Sequence, residues 1–302
     1  MTVEGILPAL VTPYDQDGAL DCGTTAALVQ ALNAQGMDGY FVAGSSGEYP
    51  LLTTIERERL LAAVAAAAAD RTVIAHVAAG DLRETLHLAR SAADAGATAV
   101  AANIPTYFHY SDDSLRRYFR ELRERTSLPL FAYVIPERTG RPLSAEFLLE
   151  LAHEGTLQGM KYTATDLSVM AEVLADRPQG FSVLAGSEQT LVASLALGAD
   201  GGIGASFSVL PGLFAELYSA FRAGRIAEAT ALQHRAAPAL TELFQGEFIG
   251  SLKSALRTRG YAVGQARAPF APCSEEEDAR LSVRLEQISG LDRWLLPELL
   301  PA

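Results

Sequence analysis

Short, uninterrupted apolar runs alternate with longer stretches of helical periodicity from the N-terminus to about residue 224. The apolar runs predict buried strands over residues 5–11, 39–43, 72–77, 98–102, 129–134, 157–161, 181–185 and 200–204. The stretches after them predict helices over about residues 22–35, 53–69, 81–95, 112–125, 144–152, 166–175, 188–197 and 211–222. Several of the strands lack the polar alternation of a half-solvated sheet, as parallel strands covered on both faces do. Boundary signals fall where the pattern needs them. Asp21 precedes the first helix and Gly36 closes it, Thr53 and Glu56 form a capping-box pattern, and Glu84 is placed to complete another with Asp81. Eight strand–helix units at this spacing predict a TIM (β/α)8 barrel over residues 1–224. Residues 225–302 continue as three short helices jointed at Gly246, Gly260 and Ala268-Pro269-Phe270-Ala271-Pro272, expected to pack on the barrel. A doubly wound sheet is disfavoured because Gly201-Gly202-Ile203-Gly204 does not complete a G-x-G-x-x-G loop.

Composition narrows the function. The 302 residues are 49% hydrophobic, enough for a large core, yet no apolar run reaches the roughly 18 residues that cross a bilayer. A net charge of -12 argues against nucleic acid or an anionic membrane as the main partner. The basic positions between Arg116 and Arg125 read as the solvated face of an amphipathic helix. No basic-then-apolar leader pattern is visible, and the two cysteines, Cys22 and Cys273, suit a reducing compartment, so the expected location is cytoplasmic. His76, His87, His109, His153 and His234 show no metal-ligand spacing, and no metal is expected. His76 reads either as a group facing a site or as a hydrogen-bonded core histidine. Glu48, beside glycines, reads more readily as a structural member of its loop than as an acid catalyst.

Of twenty-four basic residues only two, Lys161 and Lys253, are lysines. Arginine replaces lysine freely on a solvated face, but it cannot lose its proton. A lysine amine can attack a ketone and form a Schiff base, provided that it is neutral when it attacks. Lys161 ends the predicted sixth strand, whereas Lys253, next to Leu252 and near Leu256, reads as solvated or structural. In a barrel, chemistry gathers at the C-terminal ends of the strands. Ser45 and Ser46 after the second strand, Tyr107 beyond the fourth and Tyr133 in the fifth fall there with Lys161. An amine and a phenol on adjacent strands supply a nucleophile and a proton carrier. The serines and the loop N–H groups between Gly44 and Gly47 can receive a carboxylate without a basic residue.

In order along the chain come Leu10-Val11-Thr12-Pro13-Tyr14, Gly44-Ser45-Ser46-Gly47-Glu48, Tyr133-Val134-Ile135-Pro136, Gly159-Met160-Lys161-Tyr162-Thr163 and Gly198-Ala199-Asp200-Gly201-Gly202-Ile203-Gly204. Taken together they resemble the class I aldolase family of N-acetylneuraminate lyase and dihydrodipicolinate synthase, over essentially the whole chain. The resemblance implies a covalent imine between Lys161 and pyruvate or another small 2-oxo acid, with no cofactor. It implies proton transfer by Tyr133, a linking hydroxyl at Ser45, and a second tyrosine, Tyr107, that serves a neighbouring subunit. Ser46, Gly47, Arg138, Thr163, Gly186, Ser187, Glu188 and Ile203 match substrate-binding positions. A homotetramer or homodimer is implied in the same way.

The matching positions divide between two activities. Glu137-Arg138-Thr139-Gly140 is similar to the synthase, whose arginine receives the carboxylate of the second substrate. Ser45-Ser46, Thr163 and the glycine-rich last strand look more like the lyase. Ser187 stands where the lyase carries an aspartate, Glu188 keeps the neighbouring acid, and Ala205 replaces a serine. Val134 replaces an asparagine. The expected function is a Schiff-base lyase releasing pyruvate from a hydroxylated 2-oxo acid, sialic acid or a shorter sugar acid. The alternatives are the synthase condensation with aspartate semialdehyde, a 2-keto-3-deoxy sugar acid aldolase or dehydratase, and a non-enzymatic 2-oxo acid binding protein.

Overall fold

The computed structural model describes residues 2–299. Its eight strands are β1 (Gly5–Pro8), β2 (Gly39–Val42), β3 (Thr72–His76), β4 (Ala99–Ala102), β5 (Leu130–Val134), β6 (Gly159–Tyr162), β7 (Ser182–Ala185) and β8 (Gly201–Gly204). They form one parallel sheet in the order β1-β8-β7-β6-β5-β4-β3-β2. The Asp38 N–H donates to Ile6 O at 3.0 Å and the Leu10 N–H to Phe41 O at 3.1 Å, which close β1 against β2 into a barrel. The first strand stops earlier than the apolar run to Val11 predicts. Beyond Pro8 its pairing to β2 is a single bridge between Ala9 and Phe41.

The helices are α1 (Cys22–Ala34), α2 (Thr54–Ala67), α3 (Leu82–Asp94), α4 (Asp112–Glu124), α5 (Pro136–Thr139), α6 (Ala145–His153), α7 (Ser168–Asp176), α8 (Leu191–Leu197), α9 (Pro211–Arg222), α10 (Ile226–Phe244), α11 (Phe248–Arg257) and α12 (Glu275–Glu286). Asp21 caps α1 through the Thr24 N–H, and the Thr53–Glu56 capping box is complete, each cap contributing about 1 kcal/mol. Asp81 caps α3, but Glu84 does not return the bond. Its carboxylate accepts from Thr54 Oγ1 at 2.7 Å, so it ties α3 to α2 instead. The segment from residue 188 begins with a 3-10 turn at Glu188–Thr190 before α8. In the C-terminal part, α10 runs for 19 residues rather than forming a short helix.

Strand parity sorts the core into two layers. Leu7, Phe41, Ile74, Ala99, Ala101, Phe131, Tyr133, Leu184 and Ile203 fill the barrel, while Val42, Val73, Val100, Ala132, Met160 and Val183 pack outward against the helices. The alternation follows from the two-residue period of a strand. Phe131 pairs with Gly159 and Tyr133 with Lys161 across β5 and β6, so all four positions face inward. At Gly159 a Cβ would fall 2.3 Å from Phe131 Cε1; glycine therefore lets that ring occupy the barrel directly below Lys161. Val134, one residue past Tyr133, faces outward into the helix layer.

Among the described residues, no helix is long and apolar enough to cross a membrane.

Candidate active site

The C-terminal ends of β5 and β6 deliver Tyr133 and Lys161 side by side. Lys161 is 5% exposed, with Nζ 4.3 Å from the centroid of Phe41 and 4.4 Å from that of Tyr133. The amine therefore sits on two aromatic faces at the barrel mouth, a placement that restricts its rotamers and aims it into the mouth. The Tyr133 hydroxyl lies 3.3 Å from Ser45 Oγ. Its ring packs edge-on against Phe41 at 5.4 Å and against His76 at 5.7 Å.

Ser45 belongs to a tight turn after β2. The Gly47 N–H donates to Gly44 O and the Glu48 N–H to Ser45 O, both at 3.1 Å, while Thr12 Oγ1 donates to Gly47 O at 2.6 Å. Ala43 and Glu48 bracket the turn in the left-handed region, with φ of 54° and 59°. Such values cost a residue with a Cβ about 1 kcal/mol or more, so surrounding contacts must hold both ends. Ser46 is buried within the turn.

His76 holds the first end. One ring nitrogen lies 2.9 Å from Ala43 O and the other 2.7 Å from Asn103 Oδ1. The neutral ring has one N–H and can donate to only one of these two oxygens at a time; it backs Tyr133, with the Tyr49 ring 4.5 Å away. Burial, aided by the Arg57 charge, pushes its pKa from 6.5 down to about 3. Between those values the unfolded chain binds a proton that the folded chain refuses. This contribution to stability is therefore complete above about pH 6.5 and is lost as the pH falls toward 3. His76→Gln is expected to flatten the acid limb of stability by up to about 1.4 kcal/mol per pH unit in that window. Urea midpoints measured between pH 6.5 and 4 check this; an unchanged slope would show that His76 does not carry the effect.

On the other side of Lys161, Thr163 Oγ1 is buried and has no hydrogen-bond partner among the described residues. A Cβ at Gly186 would meet that oxygen at 1.8 Å, so glycine there leaves the hydroxyl its space. Ser187 Oγ donates to Ala164 O at 3.2 Å. Glu188 Oε1 accepts from the Ser206 N–H at 3.0 Å and from Ser206 Oγ at 3.2 Å. Burial raises the Glu188 pKa, against the pull of the Ser206 N–H and the Lys161 charge. Ile203 is a buried wall inside the barrel.

A cavity of about 410 Å3 opens beside Ser45 and Tyr133, with Arg138, Asn103, Ile249 and Phe270 also in its walls. The Arg138 guanidinium stacks over Phe248 at 5.2 Å. A larger open groove of about 860 Å3, along Tyr14 and Arg267, contains neither Lys161 nor Tyr133. Tyr107 does not join the cluster within this chain. It is 88% exposed on the segment between β4 and α4, edge-on to the exposed Phe108 at 4.9 Å. Phe41, Tyr49 and Asn103 are site components that the sequence reading missed. Only the parity of β2 signalled Phe41, and nothing local marked the other two.

The model of the dihydrodipicolinate synthetase family matches residues 2–288. The chain belongs to the dihydrodipicolinate synthetase family. It is 34% identical to N-acetylneuraminate lyase from Rhizobium meliloti, over 97% of each chain. To 4-hydroxy-tetrahydrodipicolinate synthase 1 from Halalkalibacterium halodurans it is 30% identical, over 94% of this chain and 97% of that one. It also superposes, with a TM-score of 0.90 and 28% identity, on a prophage protein of the dihydrodipicolinic acid synthase family from E. coli K12 in complex with pyruvate. That match covers 95% of this chain and 99% of the other. The protein is a class I, pyruvate-dependent aldolase or lyase of the dihydrodipicolinate synthetase family. Its chemistry runs through a lysine Schiff base rather than a bound cofactor.

Proposed function

We propose that the protein is a cytoplasmic lyase that cleaves a hydroxylated 2-oxo acid to pyruvate and an aldehyde, with Lys161 as the imine-forming residue. The observation that carries this reading is the lateral pairing of Lys161 with Tyr133, whose hydroxyl is 3.3 Å from Ser45 Oγ. The Lys161 amine adds to the ketone carbon and water leaves, giving an iminium. When the bond between C3 and the hydroxyl-bearing C4 breaks, its electrons form the C2–C3 double bond of an enamine as the iminium nitrogen takes back its pair, and C4 leaves as the aldehyde carbon. Tyr133 takes the proton from the hydroxyl on the cleaving side, and protonation of the enamine followed by hydrolysis releases pyruvate. The turn at Ser46 and Gly47 receives the 2-oxo acid carboxylate, and Thr163, with space secured by Gly186, offers a hydroxyl to the tail.

A short tail is favoured over sialic acid. Ser187 and Glu188 are engaged with Ala164 O and Ser206, and Ala205 offers no hydroxyl, so a long polyol would lose partners there. Trapping with borohydride in the presence of pyruvate, followed by peptide mass spectrometry, tests the reading. An adduct on Lys161 supports it, and none under conditions that label an imine-forming control sinks it.

Arg138 favours a second reading, condensation of pyruvate with aspartate semialdehyde, because its cation shares a cavity with Ser45 and Tyr133. Arg138→Ala is then expected to raise KM about 10- to 100-fold for an aldehyde bearing a carboxylate, with little change for a neutral one. Equal KM values for both aldehydes, before and after substitution, would remove Arg138 from substrate recognition. The exposed Tyr107 and Phe108 support a homodimer or homotetramer in which Tyr107 serves the neighbouring site.

A further inference from the structure

Lys253, the second of the two lysines, is neither solvated nor near the surface. Its side chain and that of Glu48 are both fully buried, with Nζ 2.8 Å from Glu48 Oε1. The ammonium also donates to Gln265 O at 2.9 Å and lies 4.1 Å from the centre of the Tyr14 ring. Arg267 stacks on the same ring at 4.3 Å, and its backbone N–H donates to Glu48 Oε2 at 2.8 Å. Glu48 thus accepts a hydrogen bond from the C-terminal part of the chain at Oε2 and faces its ammonium at Oε1, where the contact is an ion pair without hydrogen-bond geometry. Burial pushes the Lys253 pKa down to about 8, and the Glu48 charge opposes the fall.

A buried ion pair is a poor means of stabilising a fold, since desolvating two charges offsets most of their attraction. This one sits at a particular place. Glu48 is the last residue of the turn that carries Ser45, Ser46 and Gly47, and it is the residue forced to φ 59°. His76 holds the other end of that turn through Ala43 O. Lys253 lies one helical turn past Ile249, whose side chain lines the cavity beside Tyr133, so α11 presents both to the barrel mouth.

From this geometry we infer that Lys253 is a positioning residue for the reaction: through Glu48 it fixes the Ser45–Gly47 turn in the shape that receives the 2-oxo acid carboxylate. The inference rests on the aldolase reading above, in which that turn binds the carboxylate and Lys161 forms the imine. Lys253 touches no substrate. Its effect is to set how well the first substrate is held, and only weakly how fast bound substrate reacts.

The test measures borohydride trapping of pyruvate on Lys161 as a function of pyruvate concentration, giving a half-saturating concentration and a maximal rate. The main variant is Lys253→Met with Glu48→Gln, which removes both charges and leaves neither buried without a partner. Thermal unfolding confirms that it folds. The half-saturating concentration is expected to rise about 10- to 100-fold, the scale of a misplaced binding group, with the maximal rate within about threefold of wild type. Lys253→Met alone should unfold at a lower temperature than the double variant, because it strands the Glu48 carboxylate; if it does not fold, the double variant decides. A folded double variant with the wild-type half-saturating concentration overturns the inference. So does one that loses only maximal rate. Wild-type protein that traps no pyruvate on Lys161 overturns the aldolase reading itself, and the two failures are distinguished by which protein shows them.

Discussion

Lys161→Met is expected to reduce pyruvate release by roughly four orders of magnitude or more, because no other group can take over as the covalent electron sink. The alternatives can be checked by position. Lys253 is sealed against Glu48 and Tyr14, and Arg138 cannot deprotonate to become a nucleophile. Methionine keeps the length of the side chain and places a thioether against the Phe41 and Tyr133 rings, a contact that aromatic rings favour. Stability is therefore expected to change by no more than about 1–2 kcal/mol. A continuous assay for pyruvate and a thermal melt on the same preparation separate loss of chemistry from loss of fold. Turnover within about tenfold of wild type in a folded variant would end the imine mechanism at Lys161.

What could be read in the sequence follows from the range of the interactions concerned. The strands of the barrel are marked by local apolar runs, and caps such as Asp21 and Thr53–Glu56 act within three residues, so one window contains the whole signal. Lys161 was legible for a different reason: a rare amine at the end of a buried strand has few structural uses. Tyr133 then follows from it by lateral pairing in a parallel sheet. Parity also decides that Val134 faces the helices once Tyr133 faces the barrel, so the loss of an amide there carries less weight than the bare sequence comparison gave it.

Contacts between distant segments were not legible. Glu84 looked like the partner of Asp81 because it stands three residues on, yet its carboxylate is captured by Thr54 from the preceding unit. Lys253 read as solvated or structural, and the sequence could not choose between the two because its environment is assembled from Tyr14, Glu48 and the 265–267 segment, far apart in sequence. Asn103 and Tyr49 enter the site by flanking His76. Tyr107 lies on an exposed segment against Phe108, so neither periodicity nor the fold of one chain assigns it a contact with the site.

Tyr133→Phe is expected to lower kcat by about 10²- to 10⁴-fold while leaving KM within a few-fold, the pattern of a group needed for proton transfer but not for holding the ground state. The substitution removes one oxygen and retains the ring that packs on Phe41 and His76 and beneath the Lys161 amine. Among the described residues, the one hydrogen bond it deletes is the 3.3 Å contact to Ser45, so the cost in stability should stay near 1 kcal/mol. Imine formation and carbon–carbon cleavage both pass protons near this hydroxyl, and they can be separated. If Tyr133 acts mainly in cleavage, the variant still traps pyruvate at close to the wild-type maximal rate while the retroaldol reaction is slow. If it also shuttles the protons of carbinolamine dehydration, trapping slows in parallel. Wild-type kcat in Tyr133→Phe would assign proton transfer elsewhere, and the buried His76 could not take it, since a ring that binds its proton only near pH 3 is a poor base at neutral pH.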